Sequence, residues 1–210
     1  MRHKTSKKLF TYWNNLRGDR FAPDRREIEP SDIRDILGDT FILEIDRHFR
    51  TISFRLAGTR LCNIHGRELK GVGFLGLWDE IDNLAIFEAV KQVYNNGKAC
   101  TISLVAESAE RRFAEYEMLL LPLQTGEADA IRVLGVSSAA RDEVWLGLDP
   151  VVNNRLKTVH YVDLPEVEFT PPLAYDPLST QSGHAYHEQK DHSAPRKVGH
   201  LTVYEGGITS

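Results

Sequence analysis

Phe54-Arg-Leu-Ala-Gly58-Thr-Arg60-Leu-Cys62-Asn-Ile-His65-Gly-Arg67-Glu-Leu69 passes from alternating to helical hydrophobic spacing across one glycine. Before Gly58, the residues Ile52, Phe54 and Leu56 share one face of an extended chain and Ser53 and Arg55 share the other, the period of a half-buried strand. After it the spacing suits a short helix, with Gly58 as the pivot. Upstream, Thr40-Phe-Ile-Leu-Glu-Ile45 is a second β-rich run, and the polar residues 46–50 between the two runs predict an antiparallel hairpin. Downstream, Gly66, Gly71, Gly73 and Gly76 punctuate short helices. Residues 79–96 then read as a longer helix with Ile86, Phe87, Val90, Val93 and Tyr94 inward, closed by Gly97. Three strands follow, at 99–106, 112–123 and 130–139. The order predicts an α+β domain: a five-stranded antiparallel sheet with helices inserted after the second strand.

In the strand at 112–123, Tyr116, Met118 and Leu120 point one way and Leu119, Leu121 and Leu123 the other, so both faces need cover. A cover is available at the N-terminus. Leu9, Tyr12, Trp13 and Leu16 fall at i, i+3, i+4 and i+7 of a helix over residues 5–17 that Gly18 ends. Burying such side chains is worth roughly 1.5–3 kcal/mol each, so this face must dock on its own domain or on another chain. These four residues are the candidate partner-binding face. Ser31 is a good N-cap for a short helix over 32–37, stopped by Gly38. A last strand fits residues 157–162. From 164 onward, five prolines, four histidines and few aliphatic residues predict a disordered tail. The organisation expected is a helical cap over 1–37, a domain over 38–163 and the tail over 164–210.

The 210 residues are 41% hydrophobic and 27% charged, an ordinary globular balance. No apolar run approaches the roughly 20 residues that span a bilayer, and the basic start leads into an amphipathic segment rather than a signal-peptide core. A cytoplasmic protein without membrane attachment is expected. Its two cysteines, Cys62 and Cys100, form no metal-type pair and fit a reduced compartment. Residues 1–70 carry 15 Lys and Arg against 10 Asp and Glu, the remainder 11 against 20. The basic front is interspersed with acids, which describes a solvated surface better than a phosphate-binding stripe, so nucleic acid is not an expected partner.

Gly71-Val-Gly73-Phe-Leu-Gly76 matches G-x-G-x-x-G, but Arg67-Glu-Leu-Lys70 before it is not the buried strand that a dinucleotide site requires, and a plain loop is expected. In His187-Glu188-Gln-Lys-Asp191-His192 the second histidine stands at i+5, turned away from the first on a helix, so no metal is expected. Glu115 and Glu117 share a strand face without a partner base and read as a solvent-facing pair near Arg111 and Arg112. No nucleophile elbow, P-loop or kinase block occurs, and enzymatic activity is not expected. A small hydrolase or isomerase would bring a histidine or carboxylate into an apolar cleft, and no core strand carries an inward-facing acid in this register.

The segments Tyr12-Trp13-Asn-Asn-Leu-Arg17-Gly18, Ile28-Glu-Pro30-Ser-Asp-Ile33, Phe54-Arg-Leu-Ala-Gly58-Thr-Arg60-Leu-Cys62, Gly66-Arg67-Glu-Leu69, Leu119-Leu-Leu-Pro122-Leu and Trp145-Leu-Gly-Leu-Asp149 resemble, in order, those of a bacterial single-PAS-domain family. The resemblance runs from the first helix to near residue 160. It implies a PAS fold and a sensory or regulatory module. PAS domains serve as ligand sensors, dimerisation units and docking platforms alike. The light-sensing relatives carry their flavin-adduct cysteine in Asn-Cys-Arg-Phe-Leu-Gln, whereas here Asn63 follows Cys62; flavin is not expected. Haem is not expected either, since the helix over 79–96 holds no histidine. Cys62 and His65 read as wall residues.

The candidate ligand cavity is lined by Phe54, Leu56, Cys62, Trp78, Phe87, Tyr116 and Met118. The function expected is a non-catalytic regulator in signal transduction that binds a small molecule, a protein partner, or both. The alternative is a ligand-free scaffold that homodimerises through its first helix and sheet face.

Overall fold

The computed structural model describes residues 1–46, 51–125, 130–162, 164, 196–198 and 201–203. The chain divides into two compact units, Met1–Ala174 and Tyr175–Ser210. In the first unit, helices α1 (Lys4–Arg17), α2 (Thr59–Ile64) and α3 (Asn83–Asn96) accompany six strands: β1 (Thr40–Asp46), β2 (Ile52–Ala57), β3 (Ala99–Ser108), β4 (Phe113–Leu123), β5 (Ala130–Ala139) and β6 (Val151–Val162). The strands form one sheet in the order β2-β1-β5-β4-β3-β6. Every neighbouring pair is antiparallel. The α+β architecture follows the expected order of elements, and a full sixth strand joins the expected five. Only the end of β6 is legible as a strand, because Val152 and Lys157 are both extra residues against β3: Ser108 pairs with Val151 and Glu107 with Asn153, Leu104 with Leu156 and Ser103 with Thr158. Two bulges erase the period-2 signal.

Strand β4 divides the core. Tyr116, Met118 and Leu120 enter the cluster on one face, with α2 and α3; Leu119, Leu121 and Leu123 enter the cluster on the other, with α1. Leu9 and Trp13 are 0% exposed there. The Trp13 indole Nε1–H donates to the Pro122 carbonyl at 2.8 Å, and the Arg17 guanidinium lies 5.4 Å over its ring. Tyr12 and Leu16 sit half-buried at the rim, where the Tyr12 hydroxyl accepts from the Glu29 amide at 2.8 Å. Of the two destinations open to the stripe, the chain's own domain or another chain, Leu9 and Trp13 take the first and lie against the sheet, while Tyr12 and Leu16 stay partly open at the rim. The leucines on the outer face of β4 explain why, since they would otherwise lie bare.

Glu117 anchors the start of α1. Its carboxylate accepts from the Arg2 amide at 2.7 Å and the His3 amide at 3.0 Å, while His3 Nδ1 accepts from the Thr5 amide at 3.3 Å. Burial pushes the Glu117 carboxyl up, but the hydrogen bonds from the Arg2 and His3 amides outweigh it and hold the group below the ordinary glutamate range. A depressed folded pKa gives stability that is present above the unfolded value, about 4.3, and is lost as pH falls through the folded one. Glu117→Gln should therefore cost about 1–3 kcal/mol at neutral pH. It should also flatten the fall in stability between roughly pH 5 and pH 3, read by urea unfolding at each pH. Glu115, by contrast, is exposed and pairs with Lys157 at 2.5 Å. The two carboxylates have separate structural roles.

Two helical readings change. Residues 32–37 do not form a Ser31-capped helix; 3-10 turns at Pro30–Ile33 and Leu37–Asp39 stand in their place, the first with Pro30 at its start. The long helix begins at Asn83, after a separate 3-10 turn at Glu80–Asp82, and the Asp82 carboxylate is spent on the Leu156 amide at 2.7 Å. Among the described residues no helix is long and apolar enough to cross a membrane.

In the second unit, β7 (Arg196–Val198) and β8 (Leu201–Val203) pair antiparallel, with Val198 opposite Leu201. Apart from these strands and Leu164, the stretch read as a disordered tail, with its His187 motif, lies outside the described residues, as do turn residues 47–50.

Candidate functional site

An enclosed cavity lies between the sheet and its inner helices, walled by Phe54 from β2, Tyr116 and Met118 from β4, Trp78 from the turn before α3, and His65 at the end of α2. Aromatic rings fill much of the space. Phe54 meets Phe41 edge-on at 5.5 Å and Phe74 at 5.6 Å, and Phe74 meets Trp78 at 5.8 Å. Phe41 has its place because the residue opposite it on β5 is Gly135, where a Cβ would stand 2.2 Å from the Phe41 ring. About 20 Å³ stays open at the centre, the room of about one water molecule. A flavin or a porphyrin does not fit this space as it stands.

Phe54, Trp78, Tyr116 and Met118 are thus brought together; Leu56, Cys62 and Phe87 are not. Leu56 is 46% exposed. Leu43 pairs with Phe54 and Ile42 with Leu56, so Arg55 is an extra residue that reverses the alternation and turns Leu56 out of the inner face. Phe87 packs against the inner core, half-buried, without reaching the cavity. Cys62 lines an open surface groove with Thr59, Asn63 and Arg67, its Sγ 3.6 Å from Glu68 Oε1. Burial and then Glu68 push its thiol above the ordinary range, and burial pushes the Cys100 thiol up to about 12. Neither is poised as a thiolate.

Several wall residues escape the sequence reading. Phe74 is hidden inside the glycine-rich stretch, and Val151 and Asn154 come from the bulged half of β6. Asn154 is buried and donates through Nδ2 to the Leu77 carbonyl at 3.0 Å, tying β6 to the turn that carries Trp78. His65 Nδ1 lies 3.1 Å from the Val151 carbonyl. A carbonyl only accepts, so Nδ1 carries the proton in the neutral ring. Burial holds His65 below the ordinary histidine range, and Arg67 adds to that.

Two wall residues keep a polar atom without a partner. Trp78 Nε1 and the Tyr116 hydroxyl are fully buried and make no hydrogen bond among the described residues, in side chains that are 5% and 4% exposed. Burial, and then the nearby Asp39 carboxylate, raise the Tyr116 phenol, which stays protonated. Buried polar atoms are nearly always paired, so two around one cavity mark a place where another molecule's atom would be favoured.

The glycine-rich stretch does not cradle a phosphate. The Gly71 amide donates to Phe54 O and the Phe74 amide to Ile52 O, each at 2.7 Å, sealing the free edge of β2. Among the described residues no group of three or more His, Cys, Asp or Glu side chains could hold a metal ion.

Solved structures similar to this chain include the PAS domain of a protein from Colwellia psychrerythraea (14% identity, 55% of this chain and 100% of that one, TM-score 0.40). Others are a Rhodobacter sphaeroides LOV protein (15%, 57% and 73%, TM-score 0.39) and a light-oxygen-voltage domain studied with a flavin analogue (16%, 53% and 86%, TM-score 0.40). No curated protein matches the chain. The family model described as a PAS domain matches residues 1–138, from α1 through nearly all of β5, leaving β6 outside the match. That match covers well over half of the 210 residues, and the chain belongs to this PAS domain family.

Proposed function

We propose that the chain is a non-catalytic sensory module of signal transduction, in which a small molecule held in the cavity changes how α1 is seated on the sheet. The observation that carries this reading is on β4. Tyr116 and Met118 line the cavity, and the residues next to them, Glu117 and Leu119, hold α1 from the opposite face. A shift of this strand toward or away from an occupant moves the seat of the helix by the same displacement. A ligand acts by binding one of the two seatings better, and its differential affinity sets the size of the shift. A protein partner would then read the altered α1 surface.

Metabolites and cyclic dinucleotides screened by thermal shift should include a compound that raises the unfolding temperature. At a free concentration of 100 times its Kd, such a compound stabilises by about 2.7 kcal/mol. Hydrogen exchange in α1 should change with the same compound. A screen with no stabilising compound counts against the reading.

The small volume of the cavity favours a second reading, a ligand-free scaffold that pairs with another copy of itself. Its surface would not be the stripe of α1 but side chains left bare elsewhere: Ile81 and Leu84 beside the start of α3 are 86% and 73% exposed. Under this reading the wild type is dimeric by light scattering at tens of micromolar, about the weak end of specific association. Ile81→Ser with Leu84→Ser would then make it monomeric; a monomeric wild type excludes homodimerisation.

A further inference from the structure

We propose that the cavity selects one small uncharged molecule carrying an acceptor oxygen on an otherwise apolar frame, the chemistry of a short-chain ketone, aldehyde or alcohol. This rests on the sensory reading above and gives its ligand a class. The polar complement of the wall decides it. Asn154 Nδ2 is engaged by Leu77 O and His65 Nδ1 by Val151 O, whereas Trp78 Nε1 and the Tyr116 hydroxyl are buried polar atoms of wall residues with no partner among the described residues. An indole N–H donates and cannot accept, so the occupant must offer an acceptor. Apart from the Ser137 hydroxyl, the remaining wall is aromatic and aliphatic, with Phe54, Phe74, Leu104 and Met118 among its residues.

Charge is selected against from both sides. No Lys or Arg lines the cavity, so an anion would be buried without a counter-charge. The Asp39 carboxylate acts on Tyr116 from beyond the wall and adds to that penalty. The ring cluster could face a cation, but a cation brings no acceptor for the Trp78 N–H, and no Asp or Glu lines the cavity to balance it. Size sets the last limit. With about 20 Å³ open, the room of about one water, even a small organic occupant must displace the rings, and the displacement grows with its size.

The test observes the Trp78 indole proton by 1H–15N NMR, identified among the three tryptophans by its absence in Trp78→Phe. The probes are 2-butanone, propionate at pH 7 and tetramethylammonium. 2-Butanone should shift this proton saturably, and propionate and tetramethylammonium should leave it unmoved at the same concentrations. Tyr116→Phe should bind the ketone at least tenfold more weakly. The comparison of probes on the wild-type chain stands even if that variant unfolds. An indole proton unmoved by the ketone, or moved equally by a charged probe, overturns the proposal. A charged or larger molecule found in the cavity overturns this class and leaves the sensory reading standing, whereas a thermal-shift screen with no stabilising compound overturns the sensory reading itself.

Discussion

Trp13→Ala is expected to destabilise the folded chain by about 3–5 kcal/mol, the range for removing a large aromatic from a core. For a domain of this size that lowers the unfolding temperature by on the order of 10 °C. Trp13 is fully buried, its indole N–H is spent on Pro122 O, and it packs in the cluster that holds Leu119, Leu121 and Val136 against α1. The loss should appear first as faster amide exchange in α1, since Leu9 is then the one fully buried apolar side chain left to the helix. Thermal and urea unfolding measure the size. A change under about 1 kcal/mol would mean that α1 is not seated on this sheet in solution and that its stripe is free for another chain.

Gly58→Ala is the second large effect. The backbone here is ordinary, with φ −69° and ψ 155°, so the glycine is not needed for an unusual torsion. It is needed for closeness: an added Cβ would lie 2.3 Å from Leu37 O and 2.4 Å from Gly38 O. These are main-chain atoms and cannot rotate away as a side chain would. The Gly58 amide also donates to Thr40 O at 2.8 Å, so the junction of β2 with α2 is pinned from both sides. Overpacking of this kind costs roughly 1–3 kcal/mol, and rigid backbone places it at or beyond the upper end. Urea unfolding should show that loss, and α2, which carries His65 to the cavity, should exchange faster. An alanine variant as stable as the wild type would show that the segment at Leu37 and Gly38 is free to withdraw.

Much of this was legible because simple periods survive in the chain. The alternation of β4 names both of its faces, and the i, i+3, i+4, i+7 stripe of α1 is the counterpart of the outer one. Four cavity residues, Phe54, Trp78, Tyr116 and Met118, follow from the same logic. Reading failed where a strand gains a residue. Arg55 reverses Leu56, and the extra residues Val152 and Lys157 conceal β6, which brings Val151 and Asn154 to the cavity. A bulge is a backbone event that side-chain spacing reports only as lost pattern. The destination of the α1 stripe was open for another reason. An apolar stripe states that it must be covered, and only the tertiary arrangement states by what. Phe74 was obscured by its glycine neighbours, which read as loop although two amides of that stretch complete the edge of β2.

The cavity and α1 lie back to back across β4, so the sensory claim reduces to whether anything occupies the cavity. Native mass spectrometry of the full chain, purified without denaturation from the cells that make it, reads this most directly. One small neutral molecule per chain is expected, lost on unfolding and depleted in Trp78→Phe. A bare polypeptide mass in every preparation, with no cell-extract fraction that raises the unfolding temperature, would contradict it.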